Sequence, residues 1–362
     1  MVGRNALDGR DEPARGPDDH AELLSELDSH DLAFAVATEE TGESDPFEFD
    51  PDADPDDTFP QSVASGGPTP EGVICWTRIA PDQFDPDRTL AVEVATDPEF
   101  TDHVYRGLID DAESILAHDY TVKIDLDGHL DPDSEYHYRF VYDGVASRTG
   151  RCQTLPAPDA SPDSLRIAVL TCQNYLNGYF SAYHHVAEED VDFIVHLGDF
   201  IYESDAGDFK GLGSPEFEGR DLDLPSGYDR VRTLEDYRYL YRTYRADDFL
   251  QEAMESHTLI AGWDDHEMVN DIYWDARTDA PAGDHPRGDD PEFMAQLTAD
   301  AMHAWWEFMP ARIDYDPTGD SLQDRFQLWR DFAFGDLVTL VMTDERLFRD
   351  PPREAIPTPD NV

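Results

Sequence analysis

Three short apolar runs constrain what the C-terminal part of this chain can fold into. They are LRIAVLTC (165–172), VDFIVHLGD (191–199) and HTLIAGWDD (257–265). Two segments with helical periodicity lie between them: NGYFSAYHHVAEED (177–190) and TLEDYRYLYRTYRADDFLQEAMES (233–256), which has a possible break at 246–248. Strands that alternate with helices are typical of a layered α/β architecture, which places ligands at the carboxyl ends of its strands. We therefore expect the polar residues that follow the three runs to lie close together.

The rest of residues 165–362 extends this pattern. FMAQLTADAMHAWWEFM (293–309) has helical periodicity, and DRFQLWRDFAFGDLVTLVMTDE (324–345) predicts a β-hairpin that turns at 334–336. The long acidic intervals 205–230 and 271–292 are rich in glycine and proline, which is typical of functional rims or of disordered loops. We interpret 165–362 as one α/β domain.

Residues 58–156 have an all-β pattern. Short apolar or alternating runs recur between clusters of Pro, Asp and Gly: GVICWTRI (72–79), TLAVEVAT (89–96), YTVKIDL (120–126), EYHYRFVYDG (135–144) and SRTGRCQTL (147–155). In EYHYRFVY the aromatic residues Tyr136, Tyr138, Phe140 and Tyr142 share one strand face. This pattern predicts a small β-sandwich of the immunoglobulin or fibronectin type, followed by the linker PAPDASPDS (156–164).

Residues 1–57 are polar and acidic, and we interpret them as a disordered or loosely held leader, within which AELLSEL (21–27) could form a short helix. This leader has acids where a signal peptide needs a basic start and an apolar stretch. The sequence also has no run of 18 apolar residues, as a transmembrane helix requires. We therefore expect a cytoplasmic protein with no membrane partner.

The charge is extreme, with 81 acidic residues against 26 basic ones and a net charge of −55. Lysine is nearly absent, since only Lys123 and Lys210 occur. At molar salt the Debye length is about 3 Å, so this repulsion would be screened. We therefore favour adaptation to a high-salt cytoplasm, with dense cation binding or a basic partner as the alternatives. No cluster of basic residues offsets the negative electrostatic field of the chain, so we expect no nucleic-acid-binding surface.

The candidate functional residues follow the three apolar runs. Cys172 ends the first run, Asp199 ends the second with Tyr202 three residues later, and the third runs into Asp264, Asp265, His266 and Glu267. Singly, the cysteine could be a core residue, the aspartate a turn residue and the tyrosine a packed side chain. Three cysteines in all (Cys75, Cys152 and Cys172) do not make a disulfide framework.

Taken together, these residues predict a metal site. Thiolate and phenolate are strong donors to a trivalent metal such as iron, whereas carboxylates bridge cations and suit calcium. A site with two metal ions could activate water and hold both oxygens of a phosphoryl transfer.

Six motifs, in order along the chain, resemble those of the PhoD-like alkaline phosphatases, within the wider metallophosphoesterases. They are FPQSVASGGP (59–68), CWTR (75–78), TCQNYLNGYF (171–180), HLGDFIYE (196–203), LEDYR (234–238) and WDDHE (263–267). The resemblance implies a layered α-β-β-α metallophosphatase domain over 165–362, preceded by the β-sandwich domain at 58–156.

The resemblance also implies ligands and a reaction. Iron(III) would be held by Cys172, Asp199 and Tyr202, and Ca²⁺ by Asp199 and Asp265. His266 falls where the superfamily has a histidine that contacts the phosphate or protonates the leaving group. The implied reaction is metal-assisted hydrolysis of phosphate monoesters or diesters.

One departure from the family pattern concerns the C-terminus. Family members continue through a Trp-Asp-x-x-Tyr stretch to a late Gly-Asp-x-His motif, whereas this sequence ends in DPPREAIPTPDNV (350–362). Asp344 and Arg346 match the strand just before that stretch. We therefore expect a truncated catalytic domain with part of its metal shell, and a second polypeptide is a candidate source of the rest.

Two other hypotheses remain open. The chain could be a non-catalytic truncated fragment, or a binding module built on the β-sandwich. It could also be a cysteine-dependent hydrolase with Cys172 as nucleophile and His266 as base, which sensitivity to a chelator would distinguish from metal ligation.

Overall fold

The computed structural model of this chain describes residues 45–205, 217–349 and 351. Among these residues the strands are β1 (Val63–Thr69), β2 (Gly72–Arg78), β3 (Leu90–Ala95), β4 (His103–Ile109), β5 (Thr121–Asp125), β6 (Glu135–Tyr142), β7 (Val145–Ala146), β8 (Gly150–Gln153), β9 (Ile167–Leu170), β10 (Phe193–His196), β11 (Thr258–Ala261), β12 (Tyr273–Asp275), β13 (Ala280–Ala282), β14 (Asp314–Tyr315), β15 (Phe326–Gln327), β16 (Arg330–Phe334) and β17 (Val338–Met342). The α-helices are α1 (Pro55–Thr58), α2 (Ala112–Ala117), α3 (Ser181–Glu188), α4 (Leu234–Arg245), α5 (Asp248–Ser256), α6 (Pro291–Phe308) and α7 (Leu322–Arg325).

A six-stranded sheet in the order β5-β2-β1-β11-β10-β9 runs through the molecule. Its last three strands are parallel and in step: Ile194 of β10 lies opposite Ala168 of β9 and Leu259 of β11. Their carboxyl ends therefore meet at one edge of the sheet, as the alternating pattern predicts. The α/β architecture of this region is confirmed.

The first part of the chain shares this sheet. Strand β1 pairs parallel with β11, Gly66 lying opposite Leu259, and antiparallel with β2, which pairs with β5. A second sheet in the order β4-β3-β6-β7, with β8 also on β6, packs over these strands around a buried core that includes Cys75 and Tyr138. All five predicted β runs of 58–156 contain a strand. Assignment to the immunoglobulin or fibronectin type and the division into domains stay predictions.

Three strands in this region, β1, β4 and the two-residue β7, were not expected from the sequence. Strand β1 has the sequence VASGGPT, and β4 follows a loop rich in polar residues. Glycine and proline are depleted in strands, so propensity argued against β1. Strand β1 can lie this close to its neighbours because Gly66 has no side chain: the backbone oxygens of Pro310 and Leu259 occupy the space that a Cβ would need.

The helical layer packs on one face of the sheet. Thr233 and Asp236 form a capping box that begins α4, and the Asp247 side chain accepts from Leu250 N at 3.1 Å to begin α5. The break predicted at 246–248 is therefore confirmed, because Asp247 starts a second helix. Buried residues of α4 and α6, such as Tyr241 and Trp305, form the core with the inner face of the sheet.

A hairpin covers the opposite face of the sheet. Strands β16 and β17 pair antiparallel around Gly335, as predicted, and Phe332 and Phe334 pack on Phe193 and Ile260. The central strands thus lie between helices on one side and a two-stranded hairpin on the other. The four-layered α-β-β-α arrangement stays a prediction.

The last part of the predicted leader, residues 45–57, contacts the outer sheet. Phe47 lies 3.7 Å below the guanidinium carbon of Arg106, and the backbone of Asp50 donates to Gly144 O at 2.9 Å. Residues 45–57, which we expected to be disordered, thus contact the outer sheet through aromatic side chains that pack against arginines. The proposed helix at 21–27 lies outside the described residues.

Two more expectations concern loops and membrane spans. The interval 271–292 contains the small hairpin β12–β13, while part of 205–230 lies outside the described residues. Within the described ranges, no helix is long and apolar enough to cross a membrane.

The close approach at Gly66 generates a stability prediction. A Cβ there would clash with the carbonyl oxygen of Pro310 and lie 2.7 Å from that of Leu259, and neither backbone atom can easily move. We expect Gly66→Ala to destabilise the protein by about 1–3 kcal/mol or more, measured by denaturant unfolding. Gly128→Ala measures the strain of an alanine at positive φ without any clash, since Gly128 has a φ of +77° but open space around it; it should cost about 1 kcal/mol, and Gly66→Ala should cost more. Equal losses in the two variants would contradict the steric account.

Candidate metal centre

The site begins at the turns that follow β9 and β10. Cys172 and Asp199 both have left-handed backbone, with φ of +59° and +56°. The Cys172 N–H donates to Gly198 O at 3.2 Å, which ties the two turns together. Gly198 has a φ of +117°, and a Cβ there would clash with the backbone of Asp264. Left-handed residues other than glycine are uncommon and often occur at functional sites, and here each is a predicted ligand.

The carboxylate of Asp199 is the centre of the site. Its Oδ2 accepts from Cys172 Sγ and from Tyr202 OH, each at 3.2 Å. Its Oδ1 accepts from the backbone N–H of His266 at 3.4 Å. A thiol, a phenol and a carboxylate from two different turns therefore meet at one oxygen atom.

Asp265 and His266, after β11, complete the predicted set. One ligand atom from each of Asp199, Asp265 and His266 lies within 4.8 Å of the others, and all three residues are buried. His266 Nδ1 lies 2.7 Å from Glu203 Oε2, and its ring stacks on Tyr202 with centroids 4.0 Å apart. The structure thus brings together all five residues predicted from the sequence.

Glu267 is a functional residue whose role the sequence reasoning missed. It is fully buried and accepts from the backbone N–H groups of Asp199 (2.9 Å), Phe200 (2.6 Å) and Asp264 (2.8 Å). It therefore fixes the Asp199 turn against the turn after β11. Its place in WDDHE was visible, but the sequence does not show that a side chain turns back onto a distant backbone.

Glu203 was missed for the same reason. Besides His266, this fully buried carboxylate accepts from Asn270 N at 2.9 Å and pairs with Arg230 Nη1 at 3.2 Å. The bond to Nδ1 sets the orientation of the imidazole ring, as carboxylates commonly do for functional histidines.

Arg346 approaches the site from the end of the β16–β17 hairpin. Its Nη2 lies 3.3 Å from Asp265 Oδ1, and its Nε contacts the Asp264 carboxylate. The other oxygen of Asp265 accepts from Asp271 N at 2.6 Å. The carboxylate of Asp265 is thus held from both sides.

The pKa shifts show that burial disfavours the negatively charged forms of the acids at this site. Burial raises the pKa of the Asp199 carboxyl and raises that of Glu267 to about 8. Burial and then the charge of Asp199 raise the pKa of the Tyr202 phenol. Burial opposes charging of His266, but the bond to Glu203 and the charges of Glu203, Asp199 and Asp265 together outweigh it, so the pKa of His266 is raised. A bound cation would offset this excess of buried acid, and the donors fit a hard or borderline metal.

The geometry does not support Cys172 as a nucleophile. Desolvation raises the pKa of its thiol, and the thiol bonds to Asp199 and Thr171 rather than to a histidine or a cation. His266, the base in that hypothesis, is bonded through Nδ1 to Glu203. Activated thiols have a lowered pKa and an adjacent base or cation.

Known proteins share this fold and these motifs. Alkaline phosphatase D of Bacillus subtilis (strain 168) is 35% identical over 300 residues, which is 81% of this chain and 47% of that protein. A solved structure titled "Structure of PhoD" matches with a TM-score of 0.69 and 31% identity, covering 82% of this chain and 54% of that chain. This chain thus spans about half the length of the relatives it matches.

Two family profiles match successive parts of the sequence. The profile "PhoD-like phosphatase, N-terminal domain" matches residues 46–156. The profile "PhoD-like phosphatase" matches residues 167–361, more than half of the chain, and includes every residue of the site. This chain therefore belongs to the PhoD-like phosphatase family.

Proposed function

We propose that this chain carries out metal-dependent hydrolysis of phosphate monoesters or diesters. The observation that carries the proposal is the Asp199 carboxylate, which meets a thiol and a phenol at one oxygen and lies beside Asp265 and His266. Membership of the family and the likeness to a protein named alkaline phosphatase D support the same reaction class.

We propose iron(III) and calcium as the metals. Cys172, Asp199 and Tyr202 would hold iron, because thiolate and phenolate are strong donors to a trivalent ion. Asp199 and Asp265 would hold calcium, which prefers carboxylate oxygens. When bound, such ions provide a nucleophilic water at neutral pH and neutralise charge on the phosphate.

His266 is the proposed proton donor to the leaving oxygen. Glu203 holds its Nδ1 at 2.7 Å, and Tyr202 stacks on the ring, so both the ring plane and the bonded nitrogen are set before substrate binds. Nε2 is then the atom through which the imidazole would transfer a proton. A histidine oriented in this way contributes to general acid catalysis.

The first prediction tests the central carboxylate. At molar KCl, where charge repulsion is screened, the chain supplied with Fe³⁺ and Ca²⁺ should hydrolyse an aryl phosphate. We expect Asp199→Asn to reduce both the bound metal, measured by elemental analysis, and the hydrolysis rate to background. The reason is that one carboxylate serves both proposed ions.

Asp143→Asn is the matched control, since Asp143 is another aspartate with positive φ (+45°) but lies in the turn between β6 and β7. It should keep full metal content and rate. Metal content or hydrolysis that survives Asp199→Asn unchanged would contradict the proposed site.

A second prediction concerns Glu267. In Glu267→Gln one acceptor oxygen is replaced by an amide that faces backbone N–H groups, so the bonds from Asp199, Phe200 and Asp264 cannot all form. We expect metal affinity to fall by about 10–100-fold, the usual effect of losing a group that positions a ligand. Stability should fall by about 1–3 kcal/mol. Metal titration and denaturant unfolding measure the two effects, and unchanged metal affinity would show that Glu267 does not position Asp199.

A further inference from the structure

A second group of potential metal ligands lies outside the centre described above and shares no residue with it. His303 and Glu307 are four residues apart on α6, so they project from the same helix face. His118 directly follows α2 in the N-terminal part of the chain. One ligand atom from each of these three residues lies within 4.8 Å of the other two.

The three side chains converge on one carboxylate oxygen. Glu307 Oε1 lies 3.4 Å from His118 Nδ1 and 2.9 Å from His303 Nε2. The contact with His303 is an ion pair whose angle falls outside hydrogen-bond geometry. The second nitrogen of His118, Nε2, is buried and has no hydrogen-bond partner in the described part of the chain. Buried polar atoms usually have partners, so this unpaired nitrogen needs an explanation.

Aromatic rings surround the group. Trp306 meets the His118 ring edge-on at 5.0 Å, and Tyr315 lies 6.0 Å from the His303 ring. Glu307 is fully buried and His118 nearly so. The setting is therefore apolar, which strengthens the attraction between a carboxylate and a cation.

Two cations of the chain are nearby. Arg238 Nε donates to Glu307 Oε2 at 2.8 Å, and its Nη2 contacts Oε1 and also donates to Ala117 O at 3.0 Å. Lys123 directs its ammonium to Trp306 O at 2.6 Å. A carboxylate oxygen has two lone pairs, so Arg238 can orient Glu307 and still leave it capacity to bind an ion.

We propose that His118, His303 and Glu307 form a binding site for a divalent transition-metal ion of the zinc class. Two imidazole nitrogens and one carboxylate oxygen are a ligand set that Zn²⁺ adopts with a water in the fourth position. The ion links α6 to the turn after α2, and so joins the helical layer to the N-terminal part of the chain. The site shares no residue with the centre of the proposed hydrolysis.

The test uses the full chain carrying Asp199→Asn, which disables the first centre. Equilibrium dialysis against Zn²⁺ followed by elemental analysis should find about one tightly held equivalent per chain. Adding His303→Gln or His118→Gln should weaken that binding by at least about tenfold. His185→Gln, an exposed histidine on α3, is the control and should leave binding unchanged.

Two further readouts separate coordination from non-specific adsorption on an acidic surface. Co²⁺ in place of Zn²⁺ should give visible absorption bands of nitrogen and oxygen coordination, which His118→Gln removes. Zn²⁺ should raise the midpoint of thermal unfolding in the Asp199→Asn chain but not after His118→Gln, so the comparison holds even if His303→Gln fails to fold. Zinc binding that is absent, or that is unaffected by both histidine variants, would overturn the proposal.

Discussion

The in-step parallel pairing of β9, β10 and β11 is the constraint on which the site depends. Because the three strands end level, the residues that follow them emerge at one edge of the sheet. A shift of one residue would turn every side chain of a strand to the opposite face of the sheet. The left-handed turns at Cys172 and Asp199 then bring the two side chains together, and Glu267 bonds the second turn to the third.

The N-terminal part of the chain is joined to this sheet. Strand β1 extends the central sheet by pairing with β11. Trp76 Nε1 donates to Glu307 O at 2.8 Å, and Lys123 reaches the adjacent carbonyl of Trp306, so β2 and β5 hold the end of α6. The two segments matched by separate family profiles are therefore joined through backbone pairing and through buried side-chain bonds.

Local patterns predicted much of this fold. Alternation and apolar runs located the central strands, and turn chemistry located the hairpin at Gly335 and the break between α4 and α5. Strand β1 was not predicted, because Gly66 and its neighbours have low strand propensity. They form a strand because they pair with β11, a contact that local sequence does not reveal. Residues 45–57 are ordered by rings packed on arginines, and overall charge gave no sign of that.

The same distinction between local patterns and long-range contacts applies to the candidate site. Ligand types that follow a strand can be identified from spacing and motif, as with Asp199 and Asp265. The roles of Glu203 and Glu267 depend on contacts that span more than sixty residues of sequence. His118 and Glu307 are further apart still, and spacing alone gives no reason to pair them.

The central claim is that Cys172, Asp199 and Tyr202 hold one metal ion. Anomalous X-ray scattering at the iron edge, from crystals of the full chain grown with Fe³⁺ and Ca²⁺, tests it most directly. The account predicts an iron peak within bonding distance of the thiolate, the carboxylate and the phenolate. An iron peak elsewhere, or a thiol and phenol still hydrogen-bonded to Asp199 with no peak between them, would contradict it.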